Sequence, residues 1–215
     1  MHTRTQHLML QGTMILVGAL IVSSLGGWAR GATADNQTPP PAAGALLREV
    51  RDLREQLMAR EGELDVARLQ LDRAAAVMAY SANYAIPADL AGAIYDIALS
   101  EGLTPDVAFP LVELESRFDL KARSSAGAVG LTQVLPTTAR LYEPGLTLAH
   151  LYDRDTNLRL GFRYLKDLLE RYDGDHETAL SAYNRGPARV QALIAAGRDP
   201  RNGYSERILK GRRSD

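Results

Sequence analysis

Apolar residues recur every seven positions along the first part of the chain. Arg60 and Ser81 are the two interruptions of this seam, and most of the remaining positions are charged or Gln. Such a period predicts one long helix over 45–82, which either pairs with a second copy as a coiled coil or lies along the following domain. The seam consists of Leu46, Val50, Leu53, Leu57, Leu64, Ala67, Leu71, Ala74 and Met78.

From Ile86 onward the apolar spacing becomes that of short helices, and no segment alternates as a strand does. Gly and Pro punctuate the segments at the positions expected for helix ends and helix starts. The predicted helices cover 89–100, 105–118, a stretch beginning at 136, 157–172, 177–183 and 188–196. Helices without strands predict a compact all-α domain over 83–215.

The N-terminal 34 residues have the pattern of an export signal. A polar start precedes an apolar run at 14–25, and the small residues 32–34 fit a signal-peptidase site. We interpret 1–34 as a cleaved signal peptide, with an uncleaved membrane anchor as the alternative and a buried helix as a third. Residues 35–44 contain Pro39, Pro40 and Pro41 and predict a stiff linker. An exported chain of this kind is expected in the periplasm or cell envelope.

Composition excludes several functions. A net charge of −1 without a basic stripe argues against nucleic-acid binding. The chain has no Cys, which excludes disulfides and thiolate chemistry, and its four His are scattered. We therefore predict neither a metal site nor a cofactor.

Glu115 is a carboxylate on the apolar face of a predicted helix. The helix starts at Pro105 after Thr104 as N-cap, and its apolar face includes Leu111 and Val112, whereas Glu113 points toward water. Burial raises the pKa of a carboxylic acid, and an acid that is still protonated near neutral pH can donate its proton in catalysis. The alternative is that Glu115 pairs with an Arg at the edge of the core.

Four blocks of the C-terminal domain resemble the lytic transglycosylase family with the lysozyme-like fold, and they occur in the family's order and spacing. The blocks are ESRF at 115–118, SAGAVGLTQVLP at 125–136, NLRLGFRYL at 157–165 and LSAYNRG at 180–186. The resemblance implies a peptidoglycan substrate that is cut between N-acetylmuramic acid and N-acetylglucosamine.

The resemblance also implies roles for individual residues. Glu115 matches the single catalytic acid/base, and Tyr183 matches a tyrosine that assists at the cleavage site. Substrate contacts are implied at Ser116, Gln133, Leu135, Asn184 and Tyr204. Read from the residues alone, Gln133 can instead cap the helix that Pro136 begins, and Asn157 is expected to be a helix N-cap.

Three positions depart from the family's pattern. Thr132 and Leu135 stand where relatives have Met, and Pro200 stands where many relatives have a Glu, four residues before the Tyr that matches Tyr204.

Ordinary glycosidases use two carboxylates. The sequence offers one, because Asp119 lies at a helix end where a capping role is expected. One carboxylate suits a reaction in which the muramic acid's own 6-hydroxyl closes a 1,6-anhydro ring.

The leading hypothesis is an exported peptidoglycan lytic transglycosylase. A hydrolytic muramidase on the same fold and a non-catalytic wall-binding or scaffold protein are the alternatives. Glycan strands are the expected partner. The long helix suggests that the chain self-associates through a coiled coil or binds a protein assembly of the cell envelope.

Overall fold

The computed structural model of the protein describes residues 41–210. The predicted leader 1–34 and most of the predicted linker lie outside this range. The long helix begins at Pro41, so the last part of the predicted linker, 41–44, is helical. Proline is tolerated in the first turn of a helix because its missing N–H has no intrahelical partner there.

The described residues are helical, and the prediction of an all-α fold is confirmed. Helix α1 is followed by seven α-helices and one 3₁₀ turn, and within 41–210 the extended structure is limited to two isolated bridges. The elements are α1 (Pro41–Tyr84), α2 (Ala88–Ser100), α3 (Pro105–Ser116), α4 (Pro136–Tyr142), the 3₁₀ turn (His150–Tyr152), α5 (Arg154–Arg171), α6 (His176–Arg185), α7 (Pro187–Ala195) and α8 (Tyr204–Leu209).

The chain divides into two compact units, Met1–Leu64 and Asp65–Asp215. The described part of the first unit is the N-terminal portion of α1, where residues 45–64 are all exposed. None of the helices in the described range is long and apolar enough to cross a membrane.

In the second unit, the last turns of α1 pack on the helical domain. Val77 is buried, and Tyr80 and Tyr84 stack on Phe109 with ring centroids 4.1 and 5.4 Å away. The guanidinium of Arg73 pairs with the carboxylate of Asp96. The interpretation of a helix lying on the domain therefore holds for these turns.

Helix α5 joins two hydrophobic clusters. Phe162 and Leu165 belong to the main core, which also contains Leu111 of α3, whereas Leu160 belongs to a smaller cluster around Val129. Burial on both sides explains why five of the six residues 157–162 are buried, the exception being Arg159. The loop that contains Val129 is thereby anchored to the same helix as the main core.

The structure confirms the position of one predicted helix cap and corrects the other. Thr104 is the N-cap residue of α3, as predicted, but its hydroxyl makes no capping hydrogen bond. Asn157 lies inside α5, whose N-cap is Asp153 accepting a hydrogen bond from the Thr156 N–H. The prediction of Asn157 as an N-cap is wrong, because Asp153 supplies the carboxylate one turn earlier.

Candidate active site

Glu115 lies at the C-terminal end of α3, partly buried, on the side of the helix that buries Leu111 and Val112. Glu113, two residues earlier, is exposed as predicted. The hydroxyl of Tyr204 donates a hydrogen bond to Oε1 of Glu115. Burial raises the pKa of Glu115, and this outweighs the lowering by the Tyr204 hydrogen bond and the charge of Arg207.

The alternative of an ion pair at Glu115 is not supported. Among the described residues, the salt bridges within 4.0 Å do not include Glu115. Arg207 of α8 acts on it only through longer-range attraction. The one hydrogen-bond partner of the Glu115 side chain in the described range is thus the neutral phenol of Tyr204, which approaches from α8.

Helix α3 ends immediately after Glu115 in an unusual way. Arg117 and Phe118 both have left-handed backbone conformations, with φ of 53° and 63°. Glycine is the residue that normally takes this conformation at a helix end, since a Cβ makes it unfavourable. Ser116 turns its hydroxyl back to its own helix and donates to the Val112 carbonyl oxygen at 3.0 Å. The predicted substrate contact of Ser116 therefore competes with this local bond.

Gln133 lies in the loop between α3 and α4 and is held by that loop. Its backbone has a φ of 49°, a strained value for a residue with a side chain. Its Nε2 donates to the carbonyl oxygens of Gly130 at 2.9 Å and Ala122 at 3.2 Å. Gln133 does not cap α4, whose N-cap is Leu135 and has no side-chain bond. The carbonyl end of its amide has no hydrogen-bond partner among the described residues and is free to accept one.

Thr132 and Asn157 form a buried polar pair behind this loop. Thr132 is 0% exposed and Asn157 is 1% exposed. Oδ1 of Asn157 accepts from the Thr132 N–H at 2.9 Å and lies 2.8 Å from the Thr132 hydroxyl. Its Nδ2 donates to the carbonyl oxygens of Val129 and Leu151, each at 2.9 Å. One amide therefore fixes three separate points of the backbone.

Two glycines make room for this pair. A Cβ on Gly161 would lie 2.2 Å from Oγ1 of Thr132, and one on Gly130 would lie 2.3 Å from Nδ2 of Asn157. Gly130 also has a φ of +78°, which a side chain disfavours. The substitution of Thr for the family's Met at 132 is thus accommodated by a polar pocket.

A cleft of about 220 Å³ brings together four of the predicted site residues, Gln133, Leu135, Tyr183 and Asn184. The Tyr183 hydroxyl donates to the Thr132 carbonyl oxygen at 2.7 Å, so the Thr132–Asn157 pair also holds this tyrosine. Burial raises the pKa of Tyr183, and the charge of Glu115 adds to the rise. Tyr183 therefore lines the cleft and is anchored to the loop that carries Gln133.

The remaining predicted residues lie elsewhere. Glu115, Ser116 and Tyr204 do not line the cleft. Tyr204 is 2% exposed, which leaves little of its surface for a substrate. Asp119 is exposed and accepts from the Lys121 N–H at 2.8 Å in a local turn. Within 41–210, no group of three His, Asp or Glu side chains is arranged to hold a metal ion.

Sequence reasoning missed two contacts of this site. One is the Tyr204–Glu115 bond, which joins residues 89 positions apart. The other is the Thr132–Asn157 pair, for which the available signals were a Thr within an apolar block and a Gly one turn after an Asn. Both contacts connect distant segments through polar groups, which periodicity does not reveal.

The family model of the transglycosylase SLT domain matches residues 93–202, which are 110 of the chain's 215 residues. The chain belongs to this family. The matched range includes Glu115, Gln133, Tyr183 and Asn184, and it ends just before Tyr204. The resemblance stated from the four sequence blocks is thus confirmed.

Several curated relatives of this SLT-domain protein are much longer than it. The chain is 32% identical over 99 residues to a soluble lytic murein transglycosylase of Escherichia coli K12, covering 42% of this chain and 15% of that protein. It is 37% identical over 92 residues to membrane-bound lytic murein transglycosylase D of the same organism, covering 41% and 20%. Among solved structures, an inactive variant of the lytic transglycosylase Slt of Pseudomonas aeruginosa matches with a TM-score of 0.49 and 29% identity, over 55% of this chain and 22% of that one.

Proposed function

We propose that this SLT-domain protein is a peptidoglycan lytic transglycosylase with Glu115 as its sole general acid/base. One observation carries the proposal: Glu115 is a partly buried acid with a raised pKa, whose partner in the described range is a tyrosine rather than a cation. The relatives named as lytic murein transglycosylases support murein as the substrate. The bond cleaved is the β-1,4 bond between N-acetylmuramic acid and N-acetylglucosamine.

Glu115 acts twice in one turnover. Tyr204 donates to Oε1, so the acidic proton resides on Oε2, from which it passes to the glycosidic oxygen as the bond to C1 breaks. The 2-acetamido group of the muramic acid stabilises the cation that develops at C1. Glu115, now a carboxylate that still accepts from Tyr204, takes the proton of the 6-hydroxyl while O6 bonds to C1. The product is a 1,6-anhydro ring, and water does not take part.

The cleft supplies the sugar contacts in this proposal. The unpaired carbonyl end of the Gln133 amide accepts from a sugar hydroxyl, and Leu135, 39% exposed, offers an apolar wall. Asn184 is exposed at the rim, where its Oδ1 accepts from Asn202 at 2.9 Å and its amide donors remain free for substrate. Tyr183, which lines the cleft, assists at the cleavage site. Ser116 contacts substrate only if its hydroxyl leaves the Val112 carbonyl oxygen.

The proposed location is the periplasm, reached through cleavage of the leader before Asp35. The relatives include both a soluble and a membrane-bound enzyme, and therefore do not distinguish a cleaved leader from an anchor. Intact-mass measurement of the exported protein tests the cleavage: a chain that begins at Asp35 supports it, and a retained N-terminus supports the anchor.

Muropeptide analysis by mass spectrometry tests the activity. Purified cell-wall sacculi are digested with the wild-type chain, with Glu115→Gln and with Glu113→Gln as the matched exposed control. We expect 1,6-anhydro-muramic acid ends from the wild type and the control, and a loss of about a thousandfold or more in rate for Glu115→Gln, since the acid and the base are removed together.

Two results would contradict the proposal. Products with reducing muramic acid ends and no anhydro form indicate the hydrolytic muramidase. Binding to sacculi without any released muropeptide indicates the non-catalytic wall-binding protein.

A further inference from the structure

The apolar seam of α1 remains exposed in the monomer. Over residues 45–75 the whole helix is exposed, and the seam residues Val50, Leu53, Leu57, Leu64 and Leu71 range from 40% to 70% exposed. Leaving such a row of large apolar side chains in water is unfavourable, because burying them removes apolar surface from water. These exposed side chains form a continuous apolar seam that is available to a partner helix.

The flanking charges identify that partner as a second copy. Heptad position a is occupied by Val50, Leu57, Leu64 and Leu71. In this register Glu49 and Glu63 occupy position g. Arg54 and Arg68 occupy position e, and each lies five residues after one of these glutamates. In a parallel coiled coil, position g of one helix faces position e of its partner five residues further on. Both of these charged contacts therefore join a Glu to an Arg.

The antiparallel arrangement is less complementary. It brings g positions opposite g positions, and those of this helix are Glu49, Gln56, Glu63 and Gln70, none of which is basic. It also brings e positions opposite e positions, where full overlap of 46–71 pairs Arg54 with Glu61 twice by symmetry. Four attractive pairs in the parallel form against two in the antiparallel form favour the parallel orientation.

We infer that α1 forms a parallel, in-register, two-stranded coiled coil with a second copy of this chain over residues 46–71. The interchain pairs are Glu49 with Arg54 and Glu63 with Arg68, each formed twice by symmetry. Glu49 and Arg54 have no ion pair in the described monomer, whereas Glu63 pairs with Arg60 at 3.0 Å and Arg68 with Asp65 at 3.5 Å.

Arg60 is the polar interruption of the seam and favours a single register. Its guanidinium pairs with Glu63 at the side of the helix, so the aliphatic stem can cover the seam. The Glu63 carboxylate has two oxygens and can accept from Arg60 and from Arg68 of the second copy at the same time. A single polar residue in such a seam fixes register and helix number at a cost in stability. Shifting the helices by one heptad would spread the two Arg60 side chains over two layers, against apolar Leu53 and Ala67, whereas the in-register form confines the interruption to one layer.

The C-terminal end of the coil is set by the domain. Val77 is a g position and is 7% exposed because the domain covers it. From this turn onward a partner helix would compete with the domain for the same side of α1. The seam weakens at the same place, where Ala74 and Ser81 replace large apolar residues.

The absence of cysteine from the chain makes a direct test possible. Single-cysteine variants Leu53→Cys and Leu64→Cys of the full-length chain are purified and oxidised with oxidised glutathione. In a parallel in-register coil both positions face their own counterparts, so both variants form disulfide dimers in high yield. Glu55→Cys, on the outer face of the helix, is the matched control and stays monomeric on denaturing gels.

Mixing differently tagged Leu53→Cys and Leu64→Cys chains tests the orientation. Dimers that join position 53 to position 64 in preference to like positions would establish the antiparallel form and overturn the inference. A monomer by sedimentation, with no more cross-linking at the seam than at Glu55→Cys, would also overturn it. That result would assign the exposed apolar residues to a different protein.

Charge exchange tests the pairing without cysteines. Glu49→Arg with Glu63→Arg should weaken dimerisation about tenfold, since four attractive pairs per dimer become repulsive. Adding Arg54→Glu and Arg68→Glu should restore it, and Glu55→Arg alone should leave it unchanged. A failure of restoration would refute the assigned pairs. The muropeptide digestion reports on a separate domain, so its outcome is independent of this one.

Discussion

Helix α3 and the loop that follows it both carry candidate site residues, but they hold them in different ways. Glu115 sits on a regular helix whose apolar side is buried in the main core, and one hydrogen bond from Tyr204 orients it. Gln133 sits on an irregular loop, and the buried Thr132–Asn157 pair fixes the backbone beside it. Glu115 is thus held by packing, and Gln133, the proposed sugar-binding residue, by polar contacts.

This difference separates two kinds of vulnerability. A packed helix tolerates the loss of one polar contact, because its apolar side remains buried. A loop held by a buried amide does not, since each backbone group left without a partner in the interior costs about 1–3 kcal/mol. Substitutions in the loop should therefore affect folding first, and substitutions around Glu115 should affect its protonation.

Asn157→Ala should have the largest effect on stability. It removes the partners of the Thr132 N–H and of the carbonyl oxygens of Val129 and Leu151. We expect the free energy of unfolding to fall by about 3–5 kcal/mol, measured by denaturant unfolding. Asn83→Ala, at an exposed helical position, is the matched control and should change it by less than about 0.5 kcal/mol. A loss at Asn157 no larger than that of the control would show that the loop does not depend on this amide.

The sequence predicts the region around α3 better than the loop. Periodicity places Leu111, Val112 and Glu115 on one side of a helix, because each turn of a helix repeats a local geometry. The sequence predicts a local role for Asn157 as an N-cap, yet its side chain contacts residues that lie 25 to 28 positions earlier in the chain. The family motif located Gln133 and Tyr183, but only the structure gives the hydrogen bond that joins Tyr183 to the loop through the Thr132 carbonyl oxygen.

Tyr204→Phe should have the next largest effect, and the quantity it changes should be catalytic activity. The variant keeps the ring in the core and removes the donor to Oε1 of Glu115. That hydrogen bond lowers the pKa of Glu115, so its loss should raise the pKa further. The alkaline limb of the pH–rate profile should therefore shift to higher pH. We expect kcat to fall roughly tenfold to a hundredfold, since the carboxylate formed in the first step loses a donor.

Tyr172→Phe is the control for this substitution. The Tyr172 hydroxyl is buried and has no hydrogen-bond partner among the described residues, so its removal should leave activity unchanged and stability equal or higher. If Tyr204→Phe lowers kcat without moving the pH limb, Tyr204 is a packing residue and does not tune Glu115.

The smallest expected effect is the dependence of stability on pH at Glu115 itself. Burial raises its pKa in the folded state above the ordinary glutamate value. Below that ordinary value the acid is protonated in both the folded and the unfolded chain, so the folded state carries no penalty. As pH rises through the folded-state pKa, the native protein must bury a charge and loses stability. Glu115→Gln does not titrate and escapes this loss.

The difference in Tm between Glu115→Gln and the wild type should therefore widen in favour of the variant from acidic to neutral pH. Thermal unfolding at several pH values measures this Tm difference. For the control Glu113→Gln, on the exposed side of α3, the Tm difference from the wild type should stay constant across the same pH values. If the Tm difference instead shifts in favour of the wild type as pH rises, the pKa of Glu115 in the folded state is lowered and not raised. Glu115 would then be held as a carboxylate by a cation, as an ordinary ion-paired glutamate is, and a general acid at this position would be untenable near neutral pH.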